Sequence, residues 1–261
     1  MLHSVNVDTP DEHRSPVIGR LTSLTELDRA AIGNLSFFDP FLKHFMKEAL
    51  MAGGEVHIAE NGGGNVTGVF LYDGVERTGS IFTRSREVFD AFFGMKSRFA
   101  CFSELSTEHR REVFHVYTAA LADCRYARRF NHEIQVAGNE DLPEVACVMK
   151  GIYRHLNTKW IDIAPGEGDR CFVARVSGRI AGVAWLSLEG GVGRLHSLAV
   201  SHQHRRLGIG TDLLSARLLW LRVVGARSVF SEIADSNTLS VRLATCAGMR
   251  PSVEMYQYAR D

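Results

Sequence analysis

Residues 195–214 read LHSLAVSHQHRRLGIGTDLL, and their pattern predicts a strand, a turn and a helix in succession. The apolar run from Leu195 to Val200 predicts a buried strand. From Leu214 onward, leucine recurs at helical spacing until Gly225, a residue suited to the left-handed end of a helix. The sequence between the two elements is therefore a basic, glycine-containing turn at the N-terminus of a helix.

This turn has the chemistry of an anion site. The first N–H groups of a helix have no partner within it, and the helix macrodipole adds partial positive charge there. Gly208 and Gly210 allow phosphate oxygens to approach the main chain without a Cβ in the way, and Arg205 and Arg206 supply formal positive charge. We expect a diphosphate here; the alternative is an ordinary strand-to-helix turn with two solvated arginines.

Two common phosphate motifs do not fit the turn. A P-loop requires Lys and then Ser or Thr after its last glycine, but Thr211 and Asp212 follow Gly210. A dinucleotide fingerprint requires a third glycine where the chain has Leu213. Neither of these two motifs therefore accounts for the pattern.

The pattern Arg205-x-x-Gly208-x-Gly210 after a strand ending at Val200 resembles the acyl-CoA-binding motif of the GNAT superfamily of N-acyltransferases. In that family the loop amides hold the CoA pyrophosphate, and the preceding strand pairs with the pantetheine arm. Asn237, in Asp235-Ser236-Asn237, resembles a later family motif that contacts CoA, although it could be a helix N-cap alone. The resemblance implies that acetyl-CoA, or another acyl-CoA, is a co-substrate. Its binding residues would be Leu198, Ala199, Val200, Arg205, Arg206, Leu207, Gly208, Ile209, Gly210, Thr211 and Asn237.

The second half of the chain has the element order of a GNAT domain. Residues 131–261 predict β-α-α-β-β-β-α-β-α-β-β, with a hairpin at 171–186 and final strands near Met249 and at 253–258. The implied fold class is α/β (α+β), a mixed, mostly antiparallel sheet flanked by helices.

The first half has a sequence pattern similar to that of the second half. After a loose N-terminus at 1–16, residues 17–128 contain a hairpin at 55–72 with the same Gly-Val pair in its second strand, and then a strand at 80–83. Arg84-Ser85-Arg86-Glu87 then replaces the glycine loop. We therefore expect a second, degenerate GNAT-like domain in tandem with the first.

Local patterns in the first half predict further elements. Helical sequence up to about residue 50 is interrupted by Asp39-Pro40. A helix is expected at 86–93, a strand at 99–102 and a helix from about Thr107 to Leu121.

Charge, the N-terminal sequence and the cysteines limit the classes of protein and the compartments to which the chain could belong. The chain has 30 basic and 30 acidic residues, so a general nucleic-acid or anionic-membrane binder, which would show a basic excess, is disfavoured. The first residues lack the pattern of a signal peptide, and we expect a cytoplasmic protein. Five cysteines without a C-x-x-C pair favour buried free thiols over disulfides. Cys246 lies near the CoA region, but a buried structural role is favoured over that of a nucleophile.

The usual GNAT catalytic residues are replaced in this chain. The resemblance places the base slot at Arg194, six positions before Val200, and the acid slot at Ala244, seven positions after Asn237. The remaining candidates for general base and acid are His196, Glu232 and Tyr256, with Tyr258 as a second tyrosine. His202 and His204 could suggest a metal, but no third ligand is evident, and we expect no metal site.

These observations predict an acetyl- or acyl-CoA-dependent N-acyltransferase that acts on an amine of a small molecule or a peptide. The departures at Arg194 and Ala244 keep one alternative open, a catalytically silent CoA-binding regulatory module.

Overall fold

The computed structural model describes residues 16–23, 25–26, 32, 35–74, 77–96, 99–105, 110–152 and 168–260. Within these ranges, twelve strands form one continuous sheet, and five α-helices are present. The helices are α1 (Asp39–Met51), α2 (Arg86–Met95), α3 (Leu142–Ile152), α4 (Ile209–Val223) and α5 (Thr238–Cys246). The strands are β1 (Val17–Leu21), β2 (Glu55–Glu60), β3 (Val66–Asp73), β4 (Thr78–Thr83), β5 (Phe99–Ser103), β6 (Arg110–Ala120), β7 (Glu133–Val136), β8 (Asp169–Val176), β9 (Arg179–Glu189), β10 (Val192–Val200), β11 (Ser228–Ala234) and β12 (Arg250–Arg260).

Some sequence predictions fall on other parts of the chain. The expected loose terminus lies almost wholly outside the described residues, as does the helix expected between α3 and β8, which would fall on residues 153–167. Across the described residues, no helix is both long and apolar enough to cross a membrane.

The sheet contains the same pairing pattern twice. Its order is β1-β2-β3-β4-β5-β12-β6-β11-β10-β9-β8-β7. Neighbouring strands are antiparallel except β4 with β5 and β10 with β11, which are parallel. In each half, three antiparallel pairs lead to one parallel pair, and a helix, α2 or α4, connects the two parallel strands. The prediction of a mixed, mostly antiparallel sheet flanked by helices and built twice is therefore confirmed.

The two halves exchange their last strands. β12, from the end of the chain, lies between β5 and β6 of the first half, and β6 in turn pairs with β11 of the second half. The sheet is thus continuous across the division expected from the sequence at residues 128–131. That division of the chain into 17–128 and 131–261 stays a prediction.

Alternating side chains assign the helices to the two faces of the sheet. Phe82 packs in the core cluster of α1, whereas its neighbour Ile81 packs in the cluster of α2. Residues 172 and 173 divide in the same way between α4 and α3. Phe230 packs with α1 and Val229 with α4. Because successive strand residues point to opposite faces, α1 and α3 cover one face, and α2 and α4 cover the other.

The segment predicted as a helix from about Thr107 to Leu121 is instead the strand β6, so that prediction was wrong. Both faces of β6 are covered: Val116 is buried in the cluster of α1 and Tyr117 in the cluster of α4. An apolar run that is buried on both faces lacks the clean alternation that marks a half-exposed strand. Its β-branched and aromatic residues favour the strand.

Two further boundaries can be compared with the prediction. The break expected at Asp39-Pro40 coincides with the start of α1, because proline is tolerated in the first turn, where its missing N–H has no helical partner. Most of the helical sequence expected before it, from Leu24, lies outside the described residues. The two strands expected near Met249 and at 253–258 are the single strand β12, with a register shift after Pro251. Proline has no N–H to donate to a ladder, which accounts for the break that the sequence pattern suggested.

Candidate functional site

The parallel strands β10 and β11 part along their length. They pair only where Val192–Arg194 lies beside residues 228–230, although β10 continues to Val200 and β11 to Ala234. Beyond Arg194, β10 is therefore no longer paired with β11. The result is a wedge between the two strands.

A bulge in β10 lies beside this wedge. The register between β10 and β9 shifts between His196 and Ala199, and Ser197 has a φ of 51°. A positive φ is uncommon for a residue with a side chain, and such residues concentrate at functional sites. The bulge redirects the backbone groups that face the open edge of the strand.

Arg217 of α4 holds this bulge from beneath. It is 3% exposed, and its Nη1 donates to the carbonyl oxygens of Trp185 at 2.9 Å and His196 at 3.4 Å. Arg217 was not among the residues predicted from the sequence. A signal was present, since Arg217 lies between Leu213 and Leu221 at four-residue spacing, on the buried stripe of the helix.

A cavity of about 720 Å³ opens in the wedge. Its lining includes Leu214 from the core cluster of α4 and Met255 from the cluster of α1, so it reaches both faces of the sheet. It also draws on both halves of the chain, because α1 and strands β3 to β6 supply one of its sides. The aromatic residues on that side are Phe38, Phe45, Phe82, Phe102 and Phe114.

His196 lines the cavity and is the candidate base that the geometry favours. Its Nε2 lies 3.2 Å from the hydroxyl of Ser187, and its Nδ1 lies 3.1 Å from the hydroxyl of Ser197. Burial lowers the pKa of His196 well below 6.5, and the nearby positive charges of Arg194 and Arg217 act in the same direction. The ring is therefore neutral near pH 7 and able to accept a proton.

Glu232 also lines the cavity, but its carboxylate is engaged. The Nε of Arg194 donates to Oε1 of Glu232 at 2.9 Å, and both side chains are largely buried. The Arg194 guanidinium also lies 4.6 Å from the centre of the Phe45 ring. The residue that occupies the usual base slot thus holds the second candidate base in an ion pair.

The structure does not bring Tyr256 to this cavity. Tyr256 and Tyr258 pack in the core cluster of α2, on the other face of the sheet from Met255, which does line the cavity. The hydroxyl of Tyr256 donates to Oε2 of Glu254 at 2.5 Å, and that of Tyr258 donates to the carbonyl oxygen of Leu105. Sequence placed these tyrosines on the right strand but could not show which face each occupies.

The predicted anion loop leads from β10 into α4. Gly208 is the N-cap of α4, with a φ of 88°, and has no side chain to cap the helix. Arg206 is left-handed as well, with a φ of 63°. Turns of this kind direct successive N–H groups to one side and form concave anion sites. The Nε of Arg205 donates to the carbonyl oxygen of Val200, which leaves the other guanidinium nitrogens for a ligand.

The predicted CoA-binding residues differ in what they can offer. Ala199 and Ile209 are buried in the core, so a ligand could meet only their backbone. The amide of Thr211 already donates to the carbonyl oxygen of Gly208 at 2.9 Å. The Leu207 side chain is exposed. The donors of this loop that lack a helical partner therefore precede Thr211.

Leu198 and Asn237 connect the loop to the cavity. Leu198 lines the cavity, and a Cβ built on Gly210 would lie 3.8 Å from its side chain. Asn237 also lines the cavity, and its Oδ1 accepts a hydrogen bond from the backbone N–H of Ser240, at 3.2 Å. Asn237 is thus an N-cap whose position also allows a ligand contact.

The corresponding turn in the first half is closed differently. Between β4 and α2, Ser85 is the N-cap, and its hydroxyl accepts from the N–H of Val88 at 3.3 Å. Glu87 places a carboxylate in the first turn of the same helix. The positive end of α2 is therefore satisfied by its own side chains.

The histidines of the loop lie in a short turn after β10. His204 Nδ1 lies 2.8 Å from the Ser201 hydroxyl. The one cluster of metal-ligand type found among the described residues contains His44, Glu48 and Asp169 instead. Neither loop histidine is brought to it.

Comparison with known proteins agrees with this geometry. Residues 140–249 match the family model described as the acetyltransferase (GNAT) family. An N-alpha-acetyltransferase of Sulfurisphaera tokodaii is 32% identical over 103 residues, which are 34% of this chain and 62% of that protein. The chain thus spans about three-fifths of the length of the curated relatives that it matches.

Two solved structures share the fold over most of the chain. A tandem GNAT protein from the clavulanic acid biosynthesis pathway has a TM-score of 0.62 at 16% identity, covering 94% of this chain and 98% of its own. A Drosophila protein has a TM-score of 0.64 at 13% identity, with the same two coverages of 94% and 98%. The fold of the chain is therefore shared with proteins that have diverged far in sequence.

Proposed function

We propose that the chain is an acetyl- or acyl-CoA-dependent N-acyltransferase, since residues 140–249 match the model of the acetyltransferase (GNAT) family. The observation that carries the proposal is the wedge between β10 and β11. In the wedge, the unpaired part of β10 and its bulge at Ser197 lie next to the neutral ring of His196, and the strand continues to the loop at Gly208.

The second half binds the co-substrate. GNAT domains use acyl-CoA, and the loop from Arg206 to Gly210 offers helix-start amides and arginine side chains to its diphosphate. The pantetheine arm then lies along the edge of β10 beyond Arg194, where β10 no longer pairs with β11, and adds to it like a short strand. This course brings the thioester to the bulge at Ser197.

Acyl transfer is direct, from the thioester to the amine. The amine nitrogen attacks the carbonyl carbon, the C–S bond breaks, and CoA leaves as the thiol after the thiolate takes up a proton. The proton lost by the nitrogen passes to the neutral ring of His196, either directly or through the Ser197 hydroxyl beside Nδ1. Ser187, bonded to Nε2, holds the ring in place. Glu232 is not the base in this scheme, because its carboxylate accepts from Arg194.

The acceptor is an amine of a small molecule or a peptide, and the first half closes its side of the cavity. We further propose that the protein works in the cytoplasm. Support comes from the five cysteines, all of which are free thiols, three of them buried.

A catalytically silent CoA-binding module is the second candidate. It is favoured by Arg194 in the base slot and by Ala244, which lines the cavity where the family usually has a tyrosine. The two candidates share the CoA site and differ only in turnover.

The test combines turnover with binding. Thiol release from acetyl-CoA is followed with a panel of primary amines, and CoA affinity is measured by calorimetry. We expect amine-dependent thiol release that falls about 10²–10⁴-fold in His196→Gln, the usual contribution of a general base, with CoA affinity unchanged. CoA binding without thiol release for any amine would instead support the silent module.

A further inference from the structure

The part of the cavity formed by the first half is lined mainly by carbon, and its polar side chains are those of Glu48, Thr78 and Ser80. Above it lie Ala49 of α1 and Ala52, which caps the C-terminal end of that helix, and beneath it lie Leu71, Phe102 and Phe114 of the sheet. Phe102 and Phe114 meet edge to face with their ring centres 5.2 Å apart, and both remain partly exposed. This pocket, defined by these five residues, is called the apolar lobe below.

The apolar lobe lies on the acceptor side of the wedge. Its neighbours Phe45, Phe82 and Met255 belong to the core cluster of α1, which covers the face opposite α4. The anion loop begins α4, and Leu214 marks the α4 face of the cavity. A CoA molecule held by the loop therefore approaches the wedge from the α4 side, which leaves the lobe for the second substrate.

Charged groups near the lobe are already paired. Arg194 and Glu232 bond each other at 2.9 Å. Among the first-half lining residues that the structure describes, Glu48 is the one with an ionisable side chain, and it lies at the rim, 49% exposed and 3.5 Å from Nε2 of His44. The interior offers no carboxylate to a second ammonium group, whereas the rim carboxylate complements the positive charge of an incoming amine.

Peptide groups would also be poorly matched by these walls. A peptide chain that entered the lobe would bring N–H and C=O groups beside alanine, leucine and phenylalanine side chains, which cannot hydrogen-bond, and the hydroxyls of Thr78 and Ser80 are too few to pair with all of them. Polar groups buried without partners are costly. An acceptor whose body is hydrocarbon or aromatic has no such penalty, and it covers the partly exposed rings of the lobe.

On the basis of the proposed acyl transfer, we infer that the acceptor is a small primary amine carried on an apolar, preferably aromatic, body. The body fills the apolar lobe, and the amine nitrogen points back toward His196 and the bulge. Polyamines, amino alcohols and peptide N-termini are poorer acceptors.

The first arm of the test compares amine acceptors, with each rate corrected for the fraction of free amine at the pH of the assay. Values of kcat/KM with acetyl-CoA are measured for 2-phenylethylamine, hexylamine and ethylamine, and for ethanolamine, spermidine and a dipeptide amide with N-terminal phenylalanine. We expect 2-phenylethylamine to exceed ethylamine and ethanolamine by at least about 10-fold, since a single methylene in an apolar pocket is worth that much. A preference for spermidine, ethanolamine or the dipeptide amide would overturn the inference while leaving the proposed function intact.

The second arm fills the lobe. Ala49→Phe places a ring in the space assigned to the acceptor without opening a cavity in the core, and Met51→Phe adds a ring to the same helix at a position that is 54% exposed. We expect Ala49→Phe to lower kcat/KM for 2-phenylethylamine about 10-fold or more and to keep kcat/KM for ethylamine within about 3-fold. Met51→Phe should change neither value. Equal losses for both amines would contradict the assignment, as would a loss that follows the acyl-chain length of the CoA substrate instead of the amine.

A binding measurement separates failure of the inference from failure of the proposed function. The affinity of 2-phenylethylamine for the CoA-saturated protein is measured by calorimetry, with and without Ala49→Phe. Binding that Ala49→Phe removes, without turnover of any amine, would support the ligand class and count against acyl transfer. Turnover of polar amines without detectable binding of 2-phenylethylamine would count against the ligand class alone.

Discussion

Arg194 and Glu232 join β10 and β11 at the point where their pairing ends, through a hydrogen bond of 2.9 Å from Nε to Oε1. The Arg194 guanidinium also lies over the Phe45 ring of α1. One side chain thus connects both strands of the wedge to the first half of the chain. The pair marks the inner end of the cavity, and its integrity sets the shape of the proposed acceptor site.

Breaking this pair should cost more stability than breaking an exposed one. The side chains of Arg194 and Glu232 are 23% and 16% exposed, so removing either partner leaves a largely buried charge without its partner. We expect Arg194→Met and Glu232→Gln each to lower the free energy of unfolding by about 1–3 kcal/mol. The double variant should lose less than the sum, because the second change removes the charge that the first left unpaired.

Urea denaturation measures this coupling, and a surface pair provides the control. Arg86 and Asp90 of α2 form an i,i+4 pair in which both side chains are more than half exposed. Arg86→Met and Asp90→Asn should each change the unfolding free energy by less than about 0.5 kcal/mol. Additive losses at Arg194 and Glu232 would show that the two residues do not act as a pair.

The pH dependence of turnover should reflect a base that stays neutral. Burial, and then Arg194 and Arg217, lower the pKa of His196 well below 6.5. The acidic limb of the kcat/KM profile for an amine of low pKa should therefore fall below pH 6.5. Arg194→Met removes one of the positive charges and should shift that limb toward higher pH. An acidic limb at or above pH 6.5 in the unaltered protein would rule out His196 as the free base.

The lowered pKa of His196 also predicts how the free energy of unfolding depends on pH. Below about pH 6.5 an unfolded histidine takes up a proton that folded His196 does not, because its folded pKa is lowered. The unfolded state then binds more protons, so the free energy of unfolding falls as the pH drops from 6.5 toward the folded pKa. His196→Gln should flatten this part of the stability curve, as measured by urea denaturation at several pH values.

Two glycines of α4 allow a matched test of the anion loop. Gly208 and Gly225 flank the helix, both with positive φ, 88° and 77°, and a Cβ at either would meet no atom within 4 Å. Alanine at either position should cost about 1–2 kcal/mol of backbone strain. Only Gly208→Ala places that Cβ where the diphosphate is proposed to lie, so CoA affinity should fall about 10-fold or more there and stay unchanged in Gly225→Ala. Equal CoA affinities of the two variants, measured by calorimetry, would show that the diphosphate does not bind at this loop.

Sequence could predict the elements of the site better than the way they are assembled. The strand at 195–200, its turn and Gly225 follow from local chemistry, and His196 does lie on the cavity wall. Tyr256 was misplaced because strand side chains alternate, so a shift of one residue moves a side chain to the other face. A register shift in β12 lies upstream of it, after Pro251.

The residues that the first half adds to the cavity could not be predicted from the sequence, because they reach it through contacts between distant parts of the chain. Phe114 reaches the cavity because β6 is a strand that pairs with β11, about 115 residues further along the chain. Met255 reaches it because β12 returns to lie between β5 and β6. Both contacts result from the exchange of last strands between the halves, which is a non-local property of the sheet.

Direct transfer predicts that no cysteine carries the acyl group. Burial raises the pKa of Cys101 and Cys171 to about 12 and that of Cys124 to about 11, so these thiols are not nucleophilic near neutral pH. Cys147 and Cys246 are exposed. Intact mass measured after incubation with acetyl-CoA alone should show no stable acetyl adduct, and Cys246→Ser should keep the full rate of turnover. A stoichiometric adduct on Cys246 that forms and decays at the turnover rate would refute direct transfer.

The chain should bind one CoA, in spite of its two-fold repeated architecture. The helices α2 and α4 occupy corresponding places, each following the fourth strand of its half, but their first turns differ. At α4 the N-cap is Gly208, which has no side chain, whereas at α2 the hydroxyl of Ser85 accepts from the N–H of Val88 and Glu87 adds negative charge. A diphosphate at α2 would have to displace the serine and would be repelled by the carboxylate.

Calorimetric titration should therefore give one CoA per chain, and the first half should gain no CoA site when its own side chains are removed from the turn. Ser85→Gly with Glu87→Gln takes away the cap and the charge, but it supplies neither the left-handed glycine nor the paired arginines of the loop at residues 205–208. We expect this variant to lose about 1 kcal/mol of stability from the missing cap and still to bind one CoA. A stoichiometry of two in the unaltered chain would show that the first half retains a working diphosphate site, and that the serine cap opens to admit it.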